Sequence, residues 1–151
     1  MLKIKINQAS LKDLNELNDL FDGYRVFYDK KSDNIASNRF LKARIENKDS
    51  VIFISRDEAG IATGFTQLYP LFSSTRMKRV WLLNDLYVDL KYRGLGISKA
   101  LIERAKEYCK ENGGAGLTLE TAKDNHIGNQ LYPSTGWVLD EDRNYYIWET
   151  D

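Results

Sequence analysis

Two glycines stand directly in front of a long helical pattern in this chain, in "YRGLGISKALIERA", residues 92–105. Glycine inside a helix costs about 1 kcal/mol relative to alanine, so a pair at a helix entrance signals a demand on the backbone. One demand that fits is a tight turn. Another is an anion seated on the helix N-terminus, where the first free N–H groups point outward and the dipole favours negative charge. Arg93 adds a positive charge, Gly94 and Gly96 keep any Cβ out of the way, and Ser98 is a small hydroxyl donor. The stretch lacks the Gly-Lys-Ser/Thr of a Walker A loop and the third glycine of a dinucleotide fingerprint. Taken alone, it fits an ordinary turn equally well.

The elements around the stretch define the architecture it belongs to. "LKIKIN" alternates as a strand with Leu2, Ile4 and Ile6 on one face. A helix follows, with Ser10 as N-cap and Leu11, Leu14, Leu17, Phe21, Tyr24 and Tyr28 at helical spacing. A second helix is predicted over "NRFLKARIEN", residues 38–47, with Phe40, Leu41 and Ile45 inward. Strands are predicted over 50–57, 61–72 and 79–89, joined by short turns at Gly60 and after Pro70. Ile97, Leu101, Ala105 and Tyr108 then form a helical stripe that Gly113 and Gly114 end. "LTLET" reads as a strand, "NHIGNQLYP" as a short helix ended by Pro133, and "GWVLD" and "NYYIWE" as two closing strands. The result is a mixed α/β single domain over residues 1–151. Its central twisted sheet is mostly antiparallel, with one parallel β-α-β crossing and flanking helices.

Composition removes several function classes. Lys plus Arg equals Asp plus Glu, 22 against 22, so there is no electrostatic footprint for nucleic acid. The single His126 and single Cys109 do not make a metal site, and no internal disulfide is available, which points to a reducing compartment. No apolar run approaches the roughly 20 residues of a membrane span, and the N-terminus has no apolar signal-peptide core. The expectation is a cytoplasmic protein with no nucleic-acid partner, no membrane and no metal, whose chemistry rests on tyrosine, carboxylate and backbone groups.

Two linked motifs in order are more specific than either alone. "WLLNDLYVDLKYRGLGIS" followed by Asn125 and "QLYPSTGW" resembles the GCN5-related N-acetyltransferases. In that family a strand, an Arg/Gln-x-x-Gly-x-Gly/Ala loop, a helix and an Asn-led short helix recur in this order over nearly the whole chain. The first stretch looks most like the polyamine and small-amine branch. The resemblance implies acetyl-CoA as donor, with its pyrophosphate on Arg93, Gly94, Leu95, Gly96, Ile97, Ser98 and Lys99. It implies a pantetheine arm along Leu86, Tyr87 and Val88, splayed from the next strand by a bulge, with a backbone N–H near Leu86 or Tyr87 facing the thioester oxygen. Asn125 and Asn129 would hold the pantetheine or adenylate side. Many relatives are homodimers, and "NYYIWETD" would suit such a contact.

The resemblance also assigns the chemistry. Tyr132, seven residues after Asn125, would protonate the departing thiolate. Relatives more often carry an acidic residue where Pro133 stands, and proline biases the residue before it away from helical angles. An amine like that of lysine, with a pKa near about 10.4, is neutral in only about one molecule in two thousand at pH 7, so its proton needs a destination. Relatives often place a glutamate at the position of Asn84, and an amide is no base. Asp85 is the neighbouring carboxylate; strict alternation puts it on the opposite strand face unless the bulge intervenes. A water chain is the other route. Tyr24, Tyr28, Tyr69, Phe72 and Trp81 are candidates to line the acceptor site by cation–π contact, each also a plausible core residue. His126 reads as a surface residue and Cys109 as buried packing. The function implied is acetyl transfer from acetyl-CoA to a small primary amine in a ternary complex. The alternatives are a protein N-terminus or lysine as acceptor, and an acyl-CoA-binding module without turnover.

Overall fold

The structure is a computed structural model that describes residues 3–151. It falls into two compact units, residues 1–120 and 121–151. The first holds a five-stranded sheet in the order β1 (Lys5–Gln8), β2 (Val51–Arg56), β3 (Ala62–Ser73), β4 (Lys78–Val88) and β5 (Gly116–Thr118). β1 to β4 pair antiparallel, and β4 pairs parallel with β5 across the helix α3 (Ile97–Glu111). A short connection permits only antiparallel neighbours, whereas the helix-length crossover permits the parallel pair. The expected mixed sheet, with its single parallel crossing, is what forms.

The two sheet faces are covered by different helices. α1 (Leu14–Phe27) and α2 (Asn34–Asn47) share one core with Ile52, Ile54 and Phe65; Leu17 and Leu41 are fully buried in it. The opposite face carries Phe53 and Trp81, whose rings meet Tyr108 of α3 edge to face at 5.5 Å each. The stripe read in α3 is the buried one: Ile97, Leu101 and Ala105 are all essentially solvent-free, and Cys109 is buried beside them. At the start of α1 the Asp13 carboxylate accepts from the Ser10 N–H at 2.9 Å and pairs with Arg56. Burial raises the Asp13 pKa, but the bonds from Ser10 and Arg56 outweigh it and hold the carboxyl below its usual value.

Several boundaries differ from the sequence expectation. Leu2 lies outside the described residues, and β1 begins at Lys5. α2 begins at Asn34, four residues before the predicted 38, because Asp33 caps it: its side chain accepts from the Ala36 N–H at 3.0 Å. Leu41 is inward as expected, but Phe40 stays partly exposed, with its ring stacked on Phe21 at 5.7 Å. β5 covers three residues instead of five.

In the second unit, α4 (His126–Ser134) starts at the Asn125 cap and runs through Pro133 instead of ending there. Tyr132 therefore keeps its place in the helix, contrary to the expected displacement by proline. No residue after Thr118 lies in a strand. The two predicted closing strands do not form, because an alternating apolar pattern becomes a strand only when a ladder partner satisfies its backbone. Val138, Tyr146 and Trp148 are left largely exposed.

Phe65 is the fully buried hinge of the α1–sheet core, touching Phe21 and Tyr24 edge to face. Phe65→Ala should cost about 3–5 kcal/mol of stability. Urea unfolding with an unchanged slope would report it; a loss under 1 kcal/mol would mean that this core is not what holds the sheet.

Candidate active site

The site is organised by one extra residue in β4. Going toward the end of the strand, Leu83 opposes Leu68, and the next opposed pair is Asp85 with Gln67. Asn84 is the unopposed residue of a β-bulge. Strict alternation would keep Asp85 on the α3 face with Trp81 and Leu83. The bulge instead brings Asp85 and Tyr87 into register with Gln67 and Phe65, on the face covered by α1. Asn84 itself turns outward and is exposed, while Asp85 is only 2% exposed.

A carboxylate this buried needs donors. The Gln67 side-chain amide donates to one oxygen of Asp85, and Asn84 Nδ2 donates to the other at 2.8 Å. The Tyr24 hydroxyl reaches the Asn84 carbonyl at 3.4 Å and lies close enough to Asp85 to favour its charged form. Burial pushes the Asp85 pKa up, and Gln67, Asn84 and Tyr24 offset only part of that. The tyrosines respond in turn. Burial first, then the Asp85 charge, raises the pKa of Tyr24 and Tyr28, and the same two causes push Tyr69 up to about 12. Tyr24 and Tyr28 meet edge to face at 5.0 Å. All three phenols stay protonated in the physiological range, and all three feel the charge of the one carboxylate.

Beside this cluster β4 loses its neighbour. β5 pairs with Val80 to Leu82 only, so from Leu83 to Val88 that edge of β4 has no strand partner among the described residues. β4 then runs through a short turn into the glycine loop. Gly94 and Gly96 have φ of +77° and +80°, which L side chains rarely adopt, and a Cβ on either would meet open space. The glycines thus serve a left-handed turn and at the same time leave the start of α3 bare. Gly96 caps α3 without a side-chain bond, so the N–H groups of Ile97, Ser98 and Lys99 have no acceptor within the helix.

Arg93 does more than add charge. Its Nε donates to the Val88 carbonyl at 3.0 Å, and its guanidinium carbon lies 4.9 Å from the Phe27 ring and 5.5 Å from the Tyr87 ring. The remaining candidates divide clearly. Trp81 does not join Tyr24 and Tyr28: it is 5% exposed and packs on the other sheet face against Tyr108. Phe72, at 75% exposed, sits near the end of β3, with Arg79 over its ring. In the second unit, the Asn125 side chain accepts from the Gly128 N–H at 3.2 Å and donates to Thr121 at 2.9 Å. Asn129 donates to the carbonyls of Ala122, Lys123 and Asn125. Both asparagines brace their own loop. Tyr132 is half-buried, with the Trp137 ring edge to face at 6.1 Å, and His126 is exposed.

Sequence reading missed Gln67 and Phe27. A polar residue inside the apolar run "FTQLY" was the available signal for Gln67. Phe27 had none, because its partner is 66 positions away in sequence.

The Acetyltransferase (GNAT) family profile matches residues 14–137, most of the chain. The chain belongs to the GNAT acetyltransferase family. It is 44% identical to the uncharacterized N-acetyltransferase YhfO of Bacillus subtilis (strain 168) over 137 residues, which is 91% of each chain. A crystal structure of a probable acetyltransferase is 38% identical and superposes with a TM-score of 0.92, over 97% of this acetyltransferase and 99% of that one. An aminoglycoside N-acetyltransferase solved in complex with CoA shares the fold at 18% identity, with a TM-score of 0.82 over 99% of this chain and 97% of that one.

GNAT acetyltransferases take their acetyl group from acetyl-CoA. The residues of this acetyltransferase fit such a donor: an unpaired strand edge accepts an extended amide chain, and a bare helix N-terminus accepts phosphate. Among the described residues, no cluster of three or more His, Cys, Asp or Glu suits a metal, and no helix is long and apolar enough to cross a membrane.

Gln67 Oε1 is buried without a partner while its amide faces Asp85. Asp85→Asn removes a buried charge and supplies an N–H for that oxygen. A raised carboxyl pKa makes the ionised form costly to the fold, so the penalty is present at neutral pH and relieved as pH falls through the folded-state pKa. Asp85→Asn should therefore melt higher than the parent at pH 7, with the gap closing toward pH 4. Equal melting temperatures at both pH values would refute the argument.

Proposed function

We propose that this acetyltransferase moves an acetyl group from acetyl-CoA to the primary amine of a small molecule, polyamine or amino-acid-like, by direct attack in a ternary complex. The observation that carries this reading is the buried Asp85, turned by the Asn84 bulge into a group of three tyrosines. Phenol faces and a single carboxylate attract an ammonium group. We propose in addition that both compact units serve one domain, that the donor lies along Leu86–Val88 and on Arg93–Lys99, and that the protein works in the cytoplasm.

The proton accounting follows from these residues. The acceptor arrives as an ammonium and must lose a proton before its lone pair can react. Asp85 is the destination; because it is so little exposed, the proton reaches it by way of the Tyr24 hydroxyl beside it. A carboxylate with a raised pKa is a stronger base than an ordinary aspartate. As the nitrogen bonds to the acetyl carbon and the carbon–sulfur bond breaks, Tyr132 gives its phenolic proton to the departing sulfur, and the nitrogen sheds its second proton to become the neutral amide. That second proton restores the Tyr132 phenol, and Asp85 releases the first to solvent.

The test is thiol release from acetyl-CoA over a panel of polyamines, amino acids, aminoglycosides and short peptides. One amine class should drive turnover. Tyr132→Phe and Asp85→Asn should each lower kcat by about 10²-fold or more while acetyl-CoA still binds. The acid limb of the kcat/KM profile should sit above the usual aspartate range and vanish in Asp85→Asn. Binding of acetyl-CoA with no thiol release across the panel would instead identify a binding module. Turnover confined to peptides would move the acceptor to proteins.

We also propose a homodimer formed with a second copy through the C-terminal segment. Val138, Leu139, Tyr146, Ile147 and Trp148 are all at least 70% exposed, more apolar surface than a short extended segment normally leaves in water. Sedimentation of the full chain should give twice the monomer mass, and Ile147→Asp with Trp148→Asp should return it to a monomer. A wild type that sediments as a monomer excludes the dimer.

A further inference from the structure

Phe27 is the last residue of α1 and is about half exposed, at 48%. Core packing does not explain its position. Its ring instead lies under the Arg93 guanidinium, at the mouth of the glycine loop. From that ring a run of contacts leads inward. Phe27 meets Tyr28 edge to face at 5.2 Å, Tyr28 meets Tyr24 at 5.0 Å, and Tyr24 donates to the carbonyl of Asn84, next to Asp85. α1 is also pressed onto β4 here: a Cβ on Gly23 would fall 2.8 Å from the Tyr87 hydroxyl. The Tyr87 ring also lies 5.5 Å from the Arg93 guanidinium carbon.

We propose that Phe27 is a positioning residue through which donor binding at the glycine loop orders the acceptor-side tyrosines. The proposal rests on the reading above, in which the loop holds the donor phosphates and the tyrosines surround the acceptor. Arg93 has its Nε committed to the Val88 carbonyl, so its orientation is set from β4 by a bond that does not use its terminal N–H groups. A phosphate at the loop holds the guanidinium plane in one place. The plane holds the Phe27 ring by cation–π attraction, and the ring holds the last turn of α1, which carries Tyr24 and Tyr28. An exposed cation–π pair shifts an equilibrium by about two- to five-fold, a realistic size for coupling between neighbouring sites. The last turn of a helix otherwise frays, so this is where such a contact has the most effect.

The experiment is amide hydrogen exchange of residues 24–28 in the full chain, with and without CoA, in the wild type, Phe27→Leu and Phe27→Tyr. Leucine keeps apolar bulk and loses the ring; tyrosine keeps the ring. CoA should slow exchange of this turn in the wild type and in Phe27→Tyr, by about two- to five-fold more than in Phe27→Leu. CoA should bind Phe27→Tyr like the wild type and Phe27→Leu no more than about two- to five-fold more weakly, the reciprocal share of the same coupling. With the amine that gives turnover, Phe27→Leu should raise the amine KM and leave kcat near the wild-type value. If CoA binds and protects this turn equally in Phe27→Leu, or leaves it unprotected in the wild type, the coupling is refuted and the acetyltransferase reading stands. If the wild type does not bind CoA, the donor site itself is wrong and the proposal falls with it.

Discussion

The arrangement of this protein depends on the extra residue at Asn84. Side chains in a strand alternate with a period of two, so one inserted residue reverses the face of everything after it. Leu83 and Trp81 before the bulge face α3, whereas Asp85 and Tyr87 after it face α1. The pairing of β4 with β5 stops at Leu82, two residues ahead of Asn84. Added local twist is the usual consequence of a bulge, and here the two strands part where it occurs. One insertion therefore brings a carboxylate to the tyrosines and exposes a strand edge alongside them.

That carboxylate is held at a cost to the fold. Water would solvate Asp85 better than its neutral neighbours do, which is why its pKa stays raised despite Gln67, Asn84 and Tyr24. Gln67 shows the same strain from the other side: with its amide turned to Asp85, its carbonyl oxygen has no partner in a fully buried position. A core selected only for stability would replace this pair with apolar residues. Keeping a strained polar pair beside an open strand edge is the pattern expected where function competes with stability.

The sequence was informative where periodicity and backbone demand are local. The α3 stripe of Ile97, Leu101 and Ala105 and the left-handed Gly94 and Gly96 follow from short-range rules, and the strand order follows from connection lengths. The face of Asp85 was not decidable by alternation, because a bulge leaves no reliable mark in composition; only family resemblance suggested one. Trp81 and Tyr24 looked alike as aromatic candidates, yet they lie on opposite faces of the sheet, a difference set by register. The C-terminal pattern around Tyr146 and Trp148 read as strand because alternation describes a side-chain arrangement and says nothing about whether a partner is present.

The glycine loop meets the first demand that its sequence raised and leaves room for the second. It is a tight left-handed turn, and it presents the first N–H groups of α3 unobstructed. Arg93, which reads in sequence as a charge aimed at a phosphate, is anchored by Nε to the strand that carries Asp85 and lies over the last ring of the helix that carries Tyr24. A charge free to follow its ligand would report only that the ligand is present. A charge tethered to β4 and resting on α1 is in contact with both elements, which is the arrangement the proposed coupling requires.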